Sequence, residues 1–188
     1  CMSRVRLDPD DRRFIDPWTP EGELKAPFKA DMPVVGVQQP AAKAYCKWLT
    51  TKLGYKCQLP TEEQWEKASR GVDGRQFVWG DGLNIQNAYV AENEGALKKF
   101  SAMPAPPGSF AMDSSVYGVY DMTGNVREWT QSSFSGAGRR FPKVKGASYA
   151  TQRRFMYLAY SSDTPVVPSD IGFRYIVELK DYLAEKEK

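Results

Sequence analysis

The chain has 188 residues, 26 Lys and Arg against 23 Asp and Glu, a formal net charge of +3 and no histidine. That length supports one full hydrophobic core and is short for two, and the mild charge lacks the concentrated basicity of a nucleic-acid binder. The missing histidine excludes Ser-His-Asp and Cys-His nucleophile systems, imidazole zinc sites and histidine-bound iron.

No apolar run reaches the length of a membrane span, and no charged-then-apolar signal segment opens the chain. The three cysteines, Cys1, Cys46 and Cys57, form an odd and sparse set. Such a set argues against a disulfide scaffold and favours a reducing, cytoplasmic compartment. The alternative is that Cys1 is the lipid-bearing first residue of a mature lipoprotein.

Residues 1–32 are rich in Asp, Arg and Pro without a clear period and are expected to form an extended arm. Pro33 to Val37 predicts a short apolar strand, and Pro40 then sits where the first turn of a helix tolerates it. Ala41, Ala44, Tyr45, Trp48 and Leu49 fall at helical spacing, which predicts a helix burying that face and stopping at Gly54.

Cys57 to Leu59 leads into a second helix, opened by the capping box Thr61-Glu62-Glu63-Gln64 and ending near Arg70 with Gly71 as its stop. Gly-, Pro-, Asn- and Ser-rich connections from Gly80 to Ser115 predict a long looped excursion. Short strands are expected at Lys143 to Lys145, Phe155 to Tyr160 and Gly172 to Val177. Leu179, Tyr182 and Leu183 predict a short helix in the tail, residues 178–188. The main domain is placed at residues 33–177.

The run Tyr117-Gly118-Val119-Tyr120-Asp121-Met122-Thr123-Gly124-Asn125-Val126-Arg127-Glu128-Trp129 fits neither an alternating strand nor a surface helix. It is expected to form a strand, a glycine turn and a loop that feeds Trp129 into the core. Trp48, Trp65, Trp79 and Trp129 are all expected to be core residues.

This run closely resembles the signature of the formylglycine-generating enzyme, or sulfatase-modifying factor, family. Further matches follow in family order. They are Pro33-Val34-Val35-Gly36-Val37 with Ala44-Tyr45-Cys46-Lys47-Trp48, then Leu59-Pro60-Thr61-Glu62-Glu63-Gln64-Trp65-Glu66 with Arg70-Gly71, and then Val78-Trp79-Gly80. Lys145-Gly146-Ala147-Ser148-Tyr149 and Ile171-Gly172-Phe173-Arg174 complete the set. The resemblance implies an α+β chain with the family's C-type-lectin-like fold, which has two helices, short antiparallel strands and much irregular loop. Full-length members carry strands before Pro33, so the resemblance also implies a trimmed fold or the C-terminal part of something longer.

Enzymes of the family use two cysteines after the Gly-Ser-Tyr motif to bind copper through thiolates, the soft ligands that select Cu(I). Here those positions hold Thr151 and Met156, so the resemblance implies a pseudo-enzyme, with no copper expected. Cys46 matches a family cysteine whose disulfide partner position is Tyr175, so a free buried thiol is expected. Several members bind calcium at the knot, which implies Asn125 and Glu128 as side-chain ligands with the carbonyls of Gly124 and Val126. Beside this stands the reading that Asn125 supports a left-handed turn and Glu128 pairs with a neighbouring arginine. Arg174 is expected in a structural ion pair.

Between Glu128 and Asp163 lie six basic residues, Arg139, Arg140, Lys143, Lys145, Arg153 and Arg154, and no acidic one. In the family this segment lines the substrate groove. In related hypervariable proteins of diversity-generating retroelements it forms the ligand face. Trp129, Arg139, Arg140, Tyr149, Arg153, Arg154 and Tyr157 are therefore the candidate ligand-binding residues, for a protein, peptide or other anionic partner. A solvated basic face without a partner is the plainer reading.

The resemblance extends to domains of bacterial signalling proteins, some standing behind a Ser/Thr kinase, which implies a non-catalytic sensor or interaction module. Three rivals stand beside this reading. They are an enzyme of altered chemistry, a diversified ligand receptor, and a structural part of a secretion or motility assembly.

Overall fold

A computed structural model of the chain describes residues 19–25, 28–136, 138–163 and 169–186. The Pro40 signal opens helix α1 (Gln39–Leu53), and Gly54, at φ 80, closes it by donating its N–H to Thr50. Its buried face is Gln39, Ala42, Cys46 and Leu49. The expected face is thereby corrected, because Tyr45 is 40% and Trp48 51% exposed. The helix carries two apolar stripes, and spacing alone does not choose between them. The choice is made in three dimensions, where the Gln39 amide donates to Thr130 O at 2.7 Å while Ala42 and Cys46 pack with Trp129, Val144 and Ile171.

Strand β1 (Cys57–Gln58) leads to helix α2 (Glu62–Arg70). The capping box forms as the sequence predicts, with Thr61 accepting from Gln64 N and the Gln64 side chain accepting from Thr61 N. Trp65 is the residue that α2 buries most deeply among large side chains, at 1% exposed.

The long excursion contains two helical elements that the sequence did not predict, a single 3-10 turn at Ile85–Asn87 and helix α3 (Glu94–Phe100). The signal for α3 was present in Asn93, whose Oδ1 accepts from Ala96 N at 3.1 Å as an N-cap. Gly95 inside the first turn and the brevity of the helix obscured it.

Trp129 lies within the long strand β2 (Arg127–Gly136), and among the described residues the expected strand at the start of the knot is reduced to an isolated bridge between Ser114 and Tyr120. Strand β3 (Arg139–Lys145) pairs antiparallel with β2, with a register irregularity between Trp129 and Ser133. Strand β4 (Ser161–Asp163) adds antiparallel to β3, and β5 (Ile171–Gly172) adds parallel to β2, giving the order β4-β3-β2-β5. Strand β6 (Ile176–Val177) pairs with β1 in a separate two-stranded sheet, and helix α4 (Leu179–Lys186) follows.

Two expected strands are therefore replaced. Phe155 to Tyr160 alternates in burial, with Met156 and Leu158 inside, but its N–H groups bond to Gln152, Arg153, Gln76 and Tyr157 in turns instead of a ladder. Pro33 to Val37 crosses β5 without joining it, giving only Gly36 N to Ile171 O at 3.1 Å. The crossing is close, because a Cβ on Gly172 would stand 2.4 Å from Val34 O.

Alternation along the β2–β3 pair sorts the two helices. Trp129 and Val144, paired in register, pack with α1, whereas Glu128 and Lys145, also paired, meet Trp65 and Glu66 of α2. The sheet separates an α1 layer from an α2 layer, and the candidate site belongs to the latter.

Candidate functional site

The knot before β2 is held by two buried carboxylates. Asp113 accepts from the N–H groups of Thr123 at 2.8 Å and Gly124 at 2.9 Å. Burial pushes its carboxyl up to about 7, with the charge of Asp121 adding to the effect and the peptide N–H groups opposing it. Asp121 and Asn125 sit in the left-handed region at φ 58 and 73. Gly124 passes so close to Tyr89 that a Cβ would stand 2.7 Å from its nitrogen.

The predicted metal residues are brought into this knot, but their side chains differ in freedom. Asn125 Oδ1 accepts from Ala105 N at 2.9 Å, and its Nδ2 donates to Ala105 O at 3.0 Å, so both ends of the amide are used. Glu128 accepts from Arg174 on both oxygens at 2.6 Å and from Trp65 Nε1 at 2.7 Å on Oε2. Each oxygen offers two lone pairs, so Oε1 keeps one in reserve.

Asp121, which the sequence reading passed over, has Oδ2 on Gly108 N at 2.9 Å and a buried Oδ1 without a partner. Burial raises its carboxyl above the ordinary range, and the charge of Glu128 acts in the same direction. Among the described residues no group of three or more acidic, cysteine or histidine side chains stands together as a metal site, so an ion here would rest on these two carboxylates with backbone carbonyls. Asp121 and Glu128 offer side-chain oxygens at the knot, and Asn125 Oδ1, which accepts one bond from Ala105 N, keeps a lone pair as well. The signal available in the sequence was an Asp inside a glycine-bounded turn.

The predicted ligand residues do not form one cluster. Trp129 is 2% exposed, and its indole donates to Val37 O at 2.7 Å. Tyr149 is largely buried beside Tyr89, its hydroxyl donating to Ser169 O at 3.3 Å, and burial raises its pKa. Arg140 is exposed near the start of β3, and the Arg139 side chain lies outside the described part of the structure. Arg153, Arg154 and Tyr157 are all exposed on the segment that follows Gln152. There the Arg154 guanidinium lies 5.0 Å from the Phe155 ring, and Tyr157 packs 5.0 Å from Phe77, which stacks on Trp79. The carboxylate of Glu92, which the sequence reading did not consider, accepts from Arg153 N at 2.9 Å.

Two other members of the basic segment are consumed internally. Lys143 pairs with Glu62. Lys145 is fully buried, donating to Leu158 O at 2.6 Å and Glu66 Oε2 at 3.2 Å, and desolvation lowers its pKa.

Thr151 closes a turn, its hydroxyl accepting from Ser148 N at 2.7 Å and donating to Ser148 O at 3.2 Å. Met156 is 1% exposed among Phe77, Ala88, Val90 and Ala147. Cys46 and Cys57 are free and buried. Burial, with a contribution from Cys57, pushes the Cys46 thiol up to about 11. Burial also raises Cys57.

The sulfatase-modifying factor enzyme 1-like domain matches residues 11–179. The chain belongs to this family. Relatives at nearly equal distance include both active and inactive members. It is 33% identical over 159 residues to the inactive C-alpha-formylglycine-generating enzyme 2 of Mus musculus, covering 78% of this chain and 49% of that protein. It is 32% identical over 151 residues to the formylglycine-generating enzyme of Mycobacterium tuberculosis, covering 71% and 47%. A 110-residue match at 34% identity to the serine/threonine-protein kinase Pkn1 of Chlamydia trachomatis serovar L2 covers 58% of this chain and 15% of the kinase. The family chain thus spans about half the length of the formylglycine-generating enzymes it matches. Its fold is shared with PvdO from Pseudomonas aeruginosa, at a TM-score of 0.68 and 24% identity over 84% of this chain and 66% of that one.

Proposed function

We propose that this sulfatase-modifying-factor domain is a non-catalytic binding module. One observation carries the reading. The two positions assigned to the family's copper-binding cysteines hold a turn-closing threonine and a core methionine, and the described cysteines are buried on the α1 and β1 side. A threonine hydroxyl and a buried thioether do not supply the paired thiolates that copper(I) chemistry needs. The similarity to an inactive formylglycine-generating enzyme supports the same reading.

The binding surface is centred on Arg153, Arg154 and Tyr157, where guanidinium groups beside exposed aromatic faces suit an acidic or phosphorylated peptide. Calcium bound between Asp121 and Glu128 would neutralise buried negative charge and stiffen the knot, without taking part in a reaction. The similarity to a protein kinase supports a place for such a module in a signalling protein.

The test is equilibrium binding of a fluorescein-labelled polyglutamate peptide and a phosphopeptide to the protein and to Arg153→Ala/Arg154→Ala. The reading expects binding that weakens at least about tenfold in the double variant and with added salt. Equal binding by the variant, or none by either protein, would overturn the proposed surface.

A further inference from the structure

Helix α1 has a second apolar stripe that the domain leaves uncovered among the described residues. Ala41, Ala44, Tyr45 and Trp48 lie at helical spacing, and all four are exposed. Their rings are held in place. Tyr45 lies 5.4 Å from Trp48, centroid to centroid, and meets the Phe173 ring edge-on at 5.6 Å. Rings already fixed against the surface lose little freedom when a partner covers them.

The charge along α1 itself has one sign. Lys43, Lys47 and Lys52 are exposed, Gln39–Leu53 contains no acidic residue, and Lys52 Nζ stands 5.0 Å from the Trp48 ring centroid. Ala41 and Ala44 leave room for a second backbone to approach, and the two aromatic rings lie one turn further along. Small residues followed by large ones along a single ridge suit packing against another helix.

This stripe is separate from the Arg153–Tyr157 surface. Leu158 and Lys145 pack with Trp65 in the α2 layer, whereas α1 covers the opposite face of the sheet through Ala42 and Cys46.

We propose that the outer stripe of α1 docks an amphipathic helix of a partner protein, with Asp and Glu flanking its apolar face. Charge complementarity selects an acidic partner, and the Tyr45–Trp48 pair selects one with an apolar stripe. A lipid surface is the competing occupant, and the vesicle titration below separates it from a helical partner.

The probe is a fluorescein-labelled helical peptide with Glu and Leu on alternating faces, titrated against the full chain. Polyglutamate and phosphatidylserine vesicles serve as comparisons. The amphipathic peptide is expected to bind in a salt-sensitive manner, and Trp48→Ala and Lys43→Glu/Lys47→Glu should each weaken it about tenfold. The titrations are made in the Arg153→Ala/Arg154→Ala background, so that the surface proposed above does not hold the peptide's glutamates and the α1 stripe is read alone. A thermal melt checks folding, and the lysine pair carries the test if Trp48→Ala lowers the melt. The proposal is overturned if the peptide does not bind, if both α1 variants bind it as wild type does, or if polyglutamate binds α1 as tightly. Trp48-dependent binding to vesicles in place of the peptide would also overturn it.

Discussion

Glu128 and Arg174 form a two-point ion pair, with Arg174 Nε and one terminal nitrogen each 2.6 Å from a different carboxylate oxygen. The pair joins β2 to the segment between β5 and β6. Arg174 also donates to Tyr120 O at 3.1 Å, which ties the knot to the same point. Removing either member leaves a charge in a largely buried place. Arg174→Met is expected to cost about 3–5 kcal/mol in chemical denaturation. Arg153→Ala, at an exposed position, should fall within about 0.5 kcal/mol of wild type.

Lys145 gives a prediction with a defined sign. Desolvation lowers its pKa, and Glu66 is the first group opposing that shift. A lysine whose folded pKa lies below its unfolded value holds fewer protons when folded, so stability rises as pH climbs from the folded toward the unfolded pKa. In Glu66→Gln the lowering deepens. The variant should lose about 2 kcal/mol at neutral pH and recover part of it by pH 10, more steeply than wild type. A parallel pH profile for the two proteins would contradict this assignment.

The buried thiols should be silent in the native state. With Cys46 protonated up to about 11 and Cys57 also raised, neither offers much thiolate at pH 8. Iodoacetamide followed by peptide mass mapping is expected to leave both unlabelled until denaturant is added. Native labelling of Cys46 at pH 8 would show that α1 opens readily.

The proposed calcium site makes Asp121 the decisive residue. Thermal melts in calcium and in chelator should differ for wild type and for Asn125→Ala, whose lost bonds to Ala105 lower both curves together. Asp121→Asn should abolish the difference. A calcium response that survives Asp121→Asn would move the ion elsewhere.

Local chemistry made much of the fold readable. Thr61 with Gln64 fixed the start of α2, Gly71 and Gly54 fixed helix ends, and Arg174 declared itself as an ion-pair partner. What escaped depended on tertiary context. The two stripes of α1 are equally apolar in one dimension, and only the contacts of Ala42 and Cys46 with Trp129 choose the inner one. Met156 and Leu158 alternate in burial as strand residues do, yet their backbone bonds run to turns and to Gln76. In the candidate site, Arg153, Arg154 and Tyr157 remained accessible as expected. Trp129 is buried and Tyr149 partly so, because large aromatic residues in a loop-rich domain are drawn into its small cores. The basic run also overstated the free charge, since Glu62 and Glu66, distant in sequence, neutralise Lys143 and Lys145.

The most direct test of the central claim is to incubate the protein with copper(I), oxygen, reductant and a cysteine-containing sulfatase peptide. Bound copper is then measured, and formylglycine is read by mass spectrometry. A non-catalytic module is expected to retain no stoichiometric copper and to return the peptide unchanged. Conversion of the peptide cysteine to formylglycine would contradict the account.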